Sequence, residues 1–282
     1  MKLVAYGVSG SVGILSDALE STTNIIAAVI ALLALRRAAL PPNERFHFGQ
    51  GKAEYFSALV EGALIFAAAL VIIAAATERL LHGGHLKPDL GIGLAVSTVA
   101  SGFNAATALV LSRAGRKHRS LVLIADAKHL MADVWTSAGV LVGVGLVALT
   151  DYQPLDPVVA ILVAGNIVVT GYKLMRDSIT GLMDVALPAE DLEVIATVLN
   201  TFRSDSIDMH QVQTRGAGRH RFIAFHLLVP GTWSVQEGYD LGCNIERALH
   251  EALPDAVVNI SLQPADDPRS HEDQHEGQHR LW

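Results

Sequence analysis

Asp126, His129 and Asp133 stand at i, i+3 and i+7 in the stretch Asp126-Ala-Lys-His129-Leu-Met-Ala-Asp133. On a helix that spacing puts all three on one face. They open a long apolar run, Leu121 to Thr150, that has the length of a membrane-spanning helix. An ionisable residue in hydrocarbon costs about 2.5–3.5 kcal/mol on insertion scales, so three on one stripe need a reason. Inter-helical hydrogen bonding is one reason, and a divalent metal site is the other. An earlier apolar run repeats the pattern: Asp17, Glu20 and Asn24 have the same i, i+3, i+7 spacing. Two membrane helices with matching polar stripes can face each other. They would then close one cage of four ligands: Glu20, Asn24, His129 and Asp133.

Composition fits a membrane protein with a water-soluble part. Of 282 residues, 51% are hydrophobic and 17% charged, against about 25% charged in soluble domains. The single cysteine, Cys243, excludes a disulfide framework and any cysteine-based zinc site. Net charge is −7 but unevenly placed: from Asp184 onward there are 16 acidic and 7 basic residues, and before it 12 acidic and 14 basic. A nucleic-acid partner would call for a basic domain, so none is expected. A lipid bilayer is the expected surrounding.

Five segments have spanning length: Gly10–Leu35, Tyr55–Thr77, Leu90–Leu111, Leu121–Thr150 and Pro157–Leu174. Met1 to Gly10 is apolar but too short to cross, and it lacks a signal-peptide pattern. It reads as a first helix cut short. Arg36, Arg37, Arg45 and Lys52, then Arg113, Arg116, Lys117 and Arg119, then Lys173 and Arg176 mark three connections as cytoplasmic. That orientation places the C-terminal part in the cytoplasm.

From Leu187 the pattern changes. Pro188 and the acids after it open a helix of about a dozen residues. Ile207–Arg215 and Arg221–Val229 read as strands joined by Gly216-Ala-Gly218. Ser234–Leu253 reads as an amphipathic helix and Ala256–Leu262 as a last strand. The order αββαβ predicts a small two-layer α+β domain, near the lower size limit for an independent core. The expected divisions are residues 1–183 in the membrane, 184–264 in this domain and 265–282 as a disordered tail. The tail histidines His271, His275 and His279 could hold a metal loosely or simply be solvated.

Together these features resemble the cation diffusion facilitator family of metal efflux transporters. The resemblance runs through Gly10-Ser-Val-Gly-Ile-Leu-Ser-Asp17-Ala-Leu-Glu20, His47-Phe-Gly-Gln-Gly-Lys52-Ala-Glu54, Ala125-Asp126-Ala-Lys-His129, Leu155-Asp156-Pro157 and Gly181-Leu-Met-Asp184. It implies a six-helix membrane bundle, here with a truncated first helix, and a cytoplasmic metallochaperone-like domain. It also implies a homodimeric antiporter, not an enzyme, in the inner or plasma membrane. The transported substrate would be a divalent metal exchanged for protons, Zn²⁺ by default, with Co²⁺, Ni²⁺, Fe²⁺ and Mn²⁺ open.

Carried over by position, the family's transport site falls on Glu20 and Asn24, then His129 and Asp133. At the first pair the family more often has His or Asp, then Asp. A register using Asp17 and Ser21 is the alternative. Asp17 and Asp126, one turn earlier, are capping or hydrogen-bonding groups or accessory ligands. Three loop positions that often bind metal in the family are Asn43, Phe46 and Gln50 here, so no loop site is expected, although Glu44 and His47 stand nearby. His210 and His226 match family positions in the cytoplasmic domain. The remaining ligand positions are Tyr239, Ser261 and Gln263, and His226 is expected as a core histidine beside Phe222, Ala224 and Leu228. Lys52 and Asp184 correspond to an ion pair that holds the family's dimer together.

Two other function classes have some footing in the residues. An intramembrane metal hydrolase would call for a His-Glu-x-x-His motif, which is absent. A non-transporting sensor or regulatory dimer partner has the short first helix as its support.

Overall fold

The computed structural model describes residues 27–82, 91–150, 152 and 154–272. Met1–Gly10, Asp17, Glu20, Asn24, His275 and His279 lie outside the described residues. The chain divides into two compact units, Met1–Leu182 and Met183–Trp282.

The first unit is helical. Residues 27–38 form α1, followed by α2 (Ala53–His82), α3 (Gly91–His118), α4 (Leu121–Thr150) and α5 (Leu155–Leu182). Thirty residues of helix run about 45 Å, more than the roughly 30 Å of a hydrocarbon core. Ala53–His82 and Pro157–Leu182 are both long and apolar enough to cross a membrane.

Small residues set the packing. Ala58, Ile65 and Ala69 of α2 meet Ala125 of α4 and Ile167 and Leu174 of α5. Gly62 and Gly171 let α2 and α5 approach backbone to backbone. A Cβ on Gly171 would lie 2.9 Å from the Phe66 nitrogen and 3.1 Å from the Gly62 carbonyl oxygen. In lipid such close approach replaces the hydrophobic effect as the source of helix association. Ala31 and Ala34 of α1 pack on Val122 at the start of α4.

Ser120 fixes where α4 begins. Its Oγ accepts from the Leu123 amide at 3.5 Å and donates to Glu54 Oε2 of α2 at 2.6 Å. Both Ser120 and Glu54 are buried. The same hydroxyl therefore caps one helix and ties it to another.

The second unit runs α6 (Ala189–Thr201), β1 (Asp208–Ala217), β2 (His220–Val229), α7 (Val235–Ala252), β3 (Ala256–Pro264) and a short α8 (Arg269–Glu272). The sheet order is β1-β2-β3. β1 and β2 are antiparallel. β2 and β3 are parallel, as the α7 crossover requires. The core joins Ile195 and Leu199 of α6, Met209 of β1, Ile223, Phe225, Leu227 and Val229 of β2, and Ile245 and Leu249 of α7. Ser234 starts α7 with a capping box shared with Glu237. The Ser234 amide and hydroxyl hold the Glu237 carboxylate below its usual range.

Two expectations need correction. The core face of β2 is Ile223, Phe225, Leu227 and Val229. His226, with Phe222, Ala224 and Leu228, therefore lies on the opposite face, and it is half-buried and not a core histidine. The start of the tail, expected to be disordered, is built into the domain. The Ala265 amide donates to the Val229 carbonyl at 2.7 Å, Asp266 accepts from the Gly231 amide at 2.9 Å, and Ser270 is buried. Backbone pairing and an Asp–amide bond offset the tail's lack of apolar residues.

His220 gives this unit a pH dependence. Burial, then the charge of Arg219, hold its imidazole below the ordinary 6.5. The folded state thus prefers it neutral, and the unfolded chain takes up the proton first. The stability contribution is full above about pH 6.5 and declines as pH falls below it. The melting temperature of this unit in the full chain should drop between about pH 7.5 and 5.5. In His220→Gln that part of the slope should shrink, and an unchanged slope would remove His220 from the explanation.

Candidate metal site

α4 carries Asp126, His129 and Asp133 in consecutive turns, and the packing of α2 and α5 against its first half positions them. The His129 ring sits between two carboxylates. Its Nε2 lies 3.9 Å from Asp133 Oδ2, and its Nδ1 lies 3.3 Å from Glu61 Oε1 of α2. The side chains of His129, Glu61 and Asp133 are 12%, 4% and 28% exposed. Asp126 is half-buried one turn before the histidine.

The 3.9 Å gap is too long for a hydrogen bond. It is close to what an ion between the two atoms would need. Zinc bonds of about 2.0–2.2 Å at a tetrahedral angle put a nitrogen and an oxygen ligand about 3.4 Å apart. Two ligands do not make a site. Among the described residues no three His, Cys, Asp or Glu side chains converge closely enough to hold an ion. The other expected ligands, Glu20 and Asn24, are outside the described residues.

Glu61 stands outside the two polar stripes that spacing marks in the sequence. It is an acid within the apolar stretch Tyr55–Thr77, and such a residue is a functional candidate by default.

The weaker candidates fall elsewhere. Lys52 Nζ donates to the Leu182 carbonyl at 3.1 Å. Asp184 adopts a positive φ of 59° and its Oδ1 accepts from Arg215 at 3.0 Å. In the second unit His210 and His226 are cross-strand partners, with ring centroids 5.2 Å apart. His210 Nε2 lies 3.1 Å from Gln263 Oε1, and the His271 ring is 6.3 Å from that of His210. In the loop after α1, Asn43 Oδ1 accepts from the Arg45 and Phe46 amides, both at 3.0 Å. Asn43 thus serves as a turn residue, and His47 Nε2 lies 2.9 Å from the Glu44 carbonyl oxygen.

Comparison with known proteins agrees with this architecture. Residues 1–183 match the model of the cation efflux transmembrane domain, and residues 187–265 match that of the cation efflux protein cytoplasmic domain. The uncharacterized transporter sll1263 of Synechocystis is 45% identical over 96% of this chain and 87% of its own length. The cation-efflux pump FieF of Shewanella oneidensis is 30% identical over 94% of this chain and 88% of its own. Among solved structures, the metal-bound C-terminal domain of the CzcD transporter from Thermotoga maritima is 25% identical over 28% of this chain and 92% of its own, with a TM-score of 0.26. The chain is a multi-pass membrane protein with a cytoplasmic α/β domain, it is a transporter and not an enzyme, and it belongs to the cation diffusion facilitator family of cation-efflux proteins.

Proposed function

We propose that this chain exports a divalent first-row metal ion from the cytoplasm in exchange for protons. Zn²⁺ is the default substrate, with Co²⁺, Ni²⁺, Fe²⁺ and Mn²⁺ as alternatives. The observation that carries the reading is His129, nearly buried within a membrane helix and placed between Asp133 and Glu61. The four ligands are Glu20 and Asn24 from the N-terminal stretch and His129 and Asp133 from α4. Imidazole exchanges protons near neutral pH, and a ligating imidazole must be deprotonated, so metal and proton compete for it. Asn24 supplies a neutral oxygen where an Asp would add charge. The cage should therefore bind Zn²⁺ less tightly and tolerate ions that accept oxygen-rich shells.

The working unit is a homodimer of six-helix bundles in the inner or plasma membrane. The exposed side of α7 and β3 supports dimerisation. Val235, Tyr239 and Leu262 are all exposed there, around a shallow concavity that includes Gly238, Cys243 and Ile260.

Purified chain in sealed vesicles tests the coupling. An imposed pH gradient should drive Zn²⁺ against its own gradient, and metal flux should move protons the other way. Metal flux indifferent to the pH gradient would remove the antiport. Metal binding without any flux would favour a non-transporting sensor or dimer partner.

A further inference from the structure

We infer that Glu61 is the positioning residue of the transport site: it holds the His129 ring by its Nδ1 edge and so presents Nε2 to the ion beside Asp133. The inference rests on the reading of His129 and Asp133 as transport ligands.

Three observations carry it. The two nitrogens of the ring face different carboxylates, Nε2 toward Asp133 and Nδ1 toward Glu61. Which nitrogen of a histidine is free to ligate is set by the hydrogen bond that the other makes, because that bond fixes where the ring carries its proton. Metal-bound histidines commonly donate that second N–H to a carboxylate, which sets the tautomer and the ring plane.

Next, Glu61 has no evident alternative task. Its side chain is 4% exposed, and among the described residues its Oε1 has no hydrogen-bond partner of good geometry. A buried carboxylate in a membrane helix is costly unless something uses it. The nitrogen 3.3 Å away lies just beyond the about 2.7–2.9 Å of a tight charge-assisted bond.

Finally, the backbone beneath Glu61 has little freedom. Gly62 is pressed against α5: a Cβ there would lie 3.0 Å from Met175 Cγ and 3.3 Å from the Gly171 carbonyl oxygen. The acceptor therefore sits on a close-packed element, as a positioning group must. Glu61 lies on the Nδ1 edge, away from Asp133, which assigns it to orientation of the ligand and not to ligation.

The test is Co²⁺ titration of the full-length chain in detergent, read by visible absorbance, with Zn²⁺ competition for affinity. His129→Ala defines the signal that belongs to the membrane site. Glu61→Leu removes the acceptor while keeping side-chain volume, so the helices should still pack. It should bind about 10–100-fold more weakly and show a changed Co²⁺ spectrum. Glu61→Gln keeps an acceptor oxygen in place and should recover most of the affinity and the wild-type spectrum. Wild-type affinity and spectrum in Glu61→Leu, or Glu61→Gln as weak as Glu61→Leu, would overturn the inference. If His129→Ala itself binds like wild type, the site assignment fails instead, so the two failures are distinguishable.

Discussion

His129→Ala should assemble in the membrane like the wild type and transport metal at no more than about 1% of its rate. The size follows from the ligand's place in the site. Losing an outer partner of a metal-bound histidine typically costs about 10–100-fold, and losing the histidine itself should cost at least the upper end of that range. The alanine also leaves Glu61 and Asp133, two carboxylates on the same side of the bundle, without the imidazole that stands between them. Asp126→Asn, one turn away and half-buried, should have a much smaller effect. Zn²⁺ flux measured with a dye trapped in vesicles separates the two variants. Comparable losses in both would mean that the whole polar face matters structurally and that His129 has no special role.

Arg221→Ala should destabilise the cytoplasmic domain by about 3–5 kcal/mol, because it strands a buried partner charge. Arg221 and Asp191 side chains are 7% and 5% exposed and meet at 2.9 Å. A second guanidinium contact reaches the other carboxylate oxygen at 3.4 Å. The pair ties the start of β2 to the first turn of α6, across the layer that holds Ile195 and Ile223. Replacing both partners, as Arg221→Met with Asp191→Leu, should restore most of the loss, since no buried charge is then left alone. Hydrogen exchange at β2 amides in the full chain reads the opening free energy of this layer. Unchanged protection in Arg221→Ala would show that solvent reaches the pair easily and that it contributes little.

The polar face of α4 was legible because spacing alone places Asp126, His129 and Asp133 together. The order αββαβ was legible for a similar reason: turn residues and acids at helix starts mark the breaks in that region. Glu61 was harder to read. Its polar neighbours at helical spacing, Ser57 and Glu54, lie toward the N-terminal end of α2, so in sequence it reads as the end of a stripe at the water boundary, and the cost of an acid in hydrocarbon is what marks it. Its importance emerges from the way α2 crosses α4, which no local pattern encodes. The face of β2 that carries His226 reads as the core because that strand is apolar on both faces. Phe222, Ala224 and Leu228 alternate as regularly as Ile223, Phe225 and Leu227, and only the packing of α6 and α7 selects the second set. The first part of the tail was misread because it is polar. Its anchors are a backbone bond to Val229 and the Asp266 contact with Gly231, and composition carries no trace of either.

Metal should cross through the membrane unit at His129 and Asp133 and not by way of the cytoplasmic histidines. The most direct test is the initial rate of Zn²⁺ flux in vesicles carrying either His129→Ala with Asp133→Ala, or His210→Ala with His226→Ala. The first pair should abolish flux and the second should leave most of it. Preserved flux in the first pair, with loss in the second, would move the transport path to the cytoplasmic histidines.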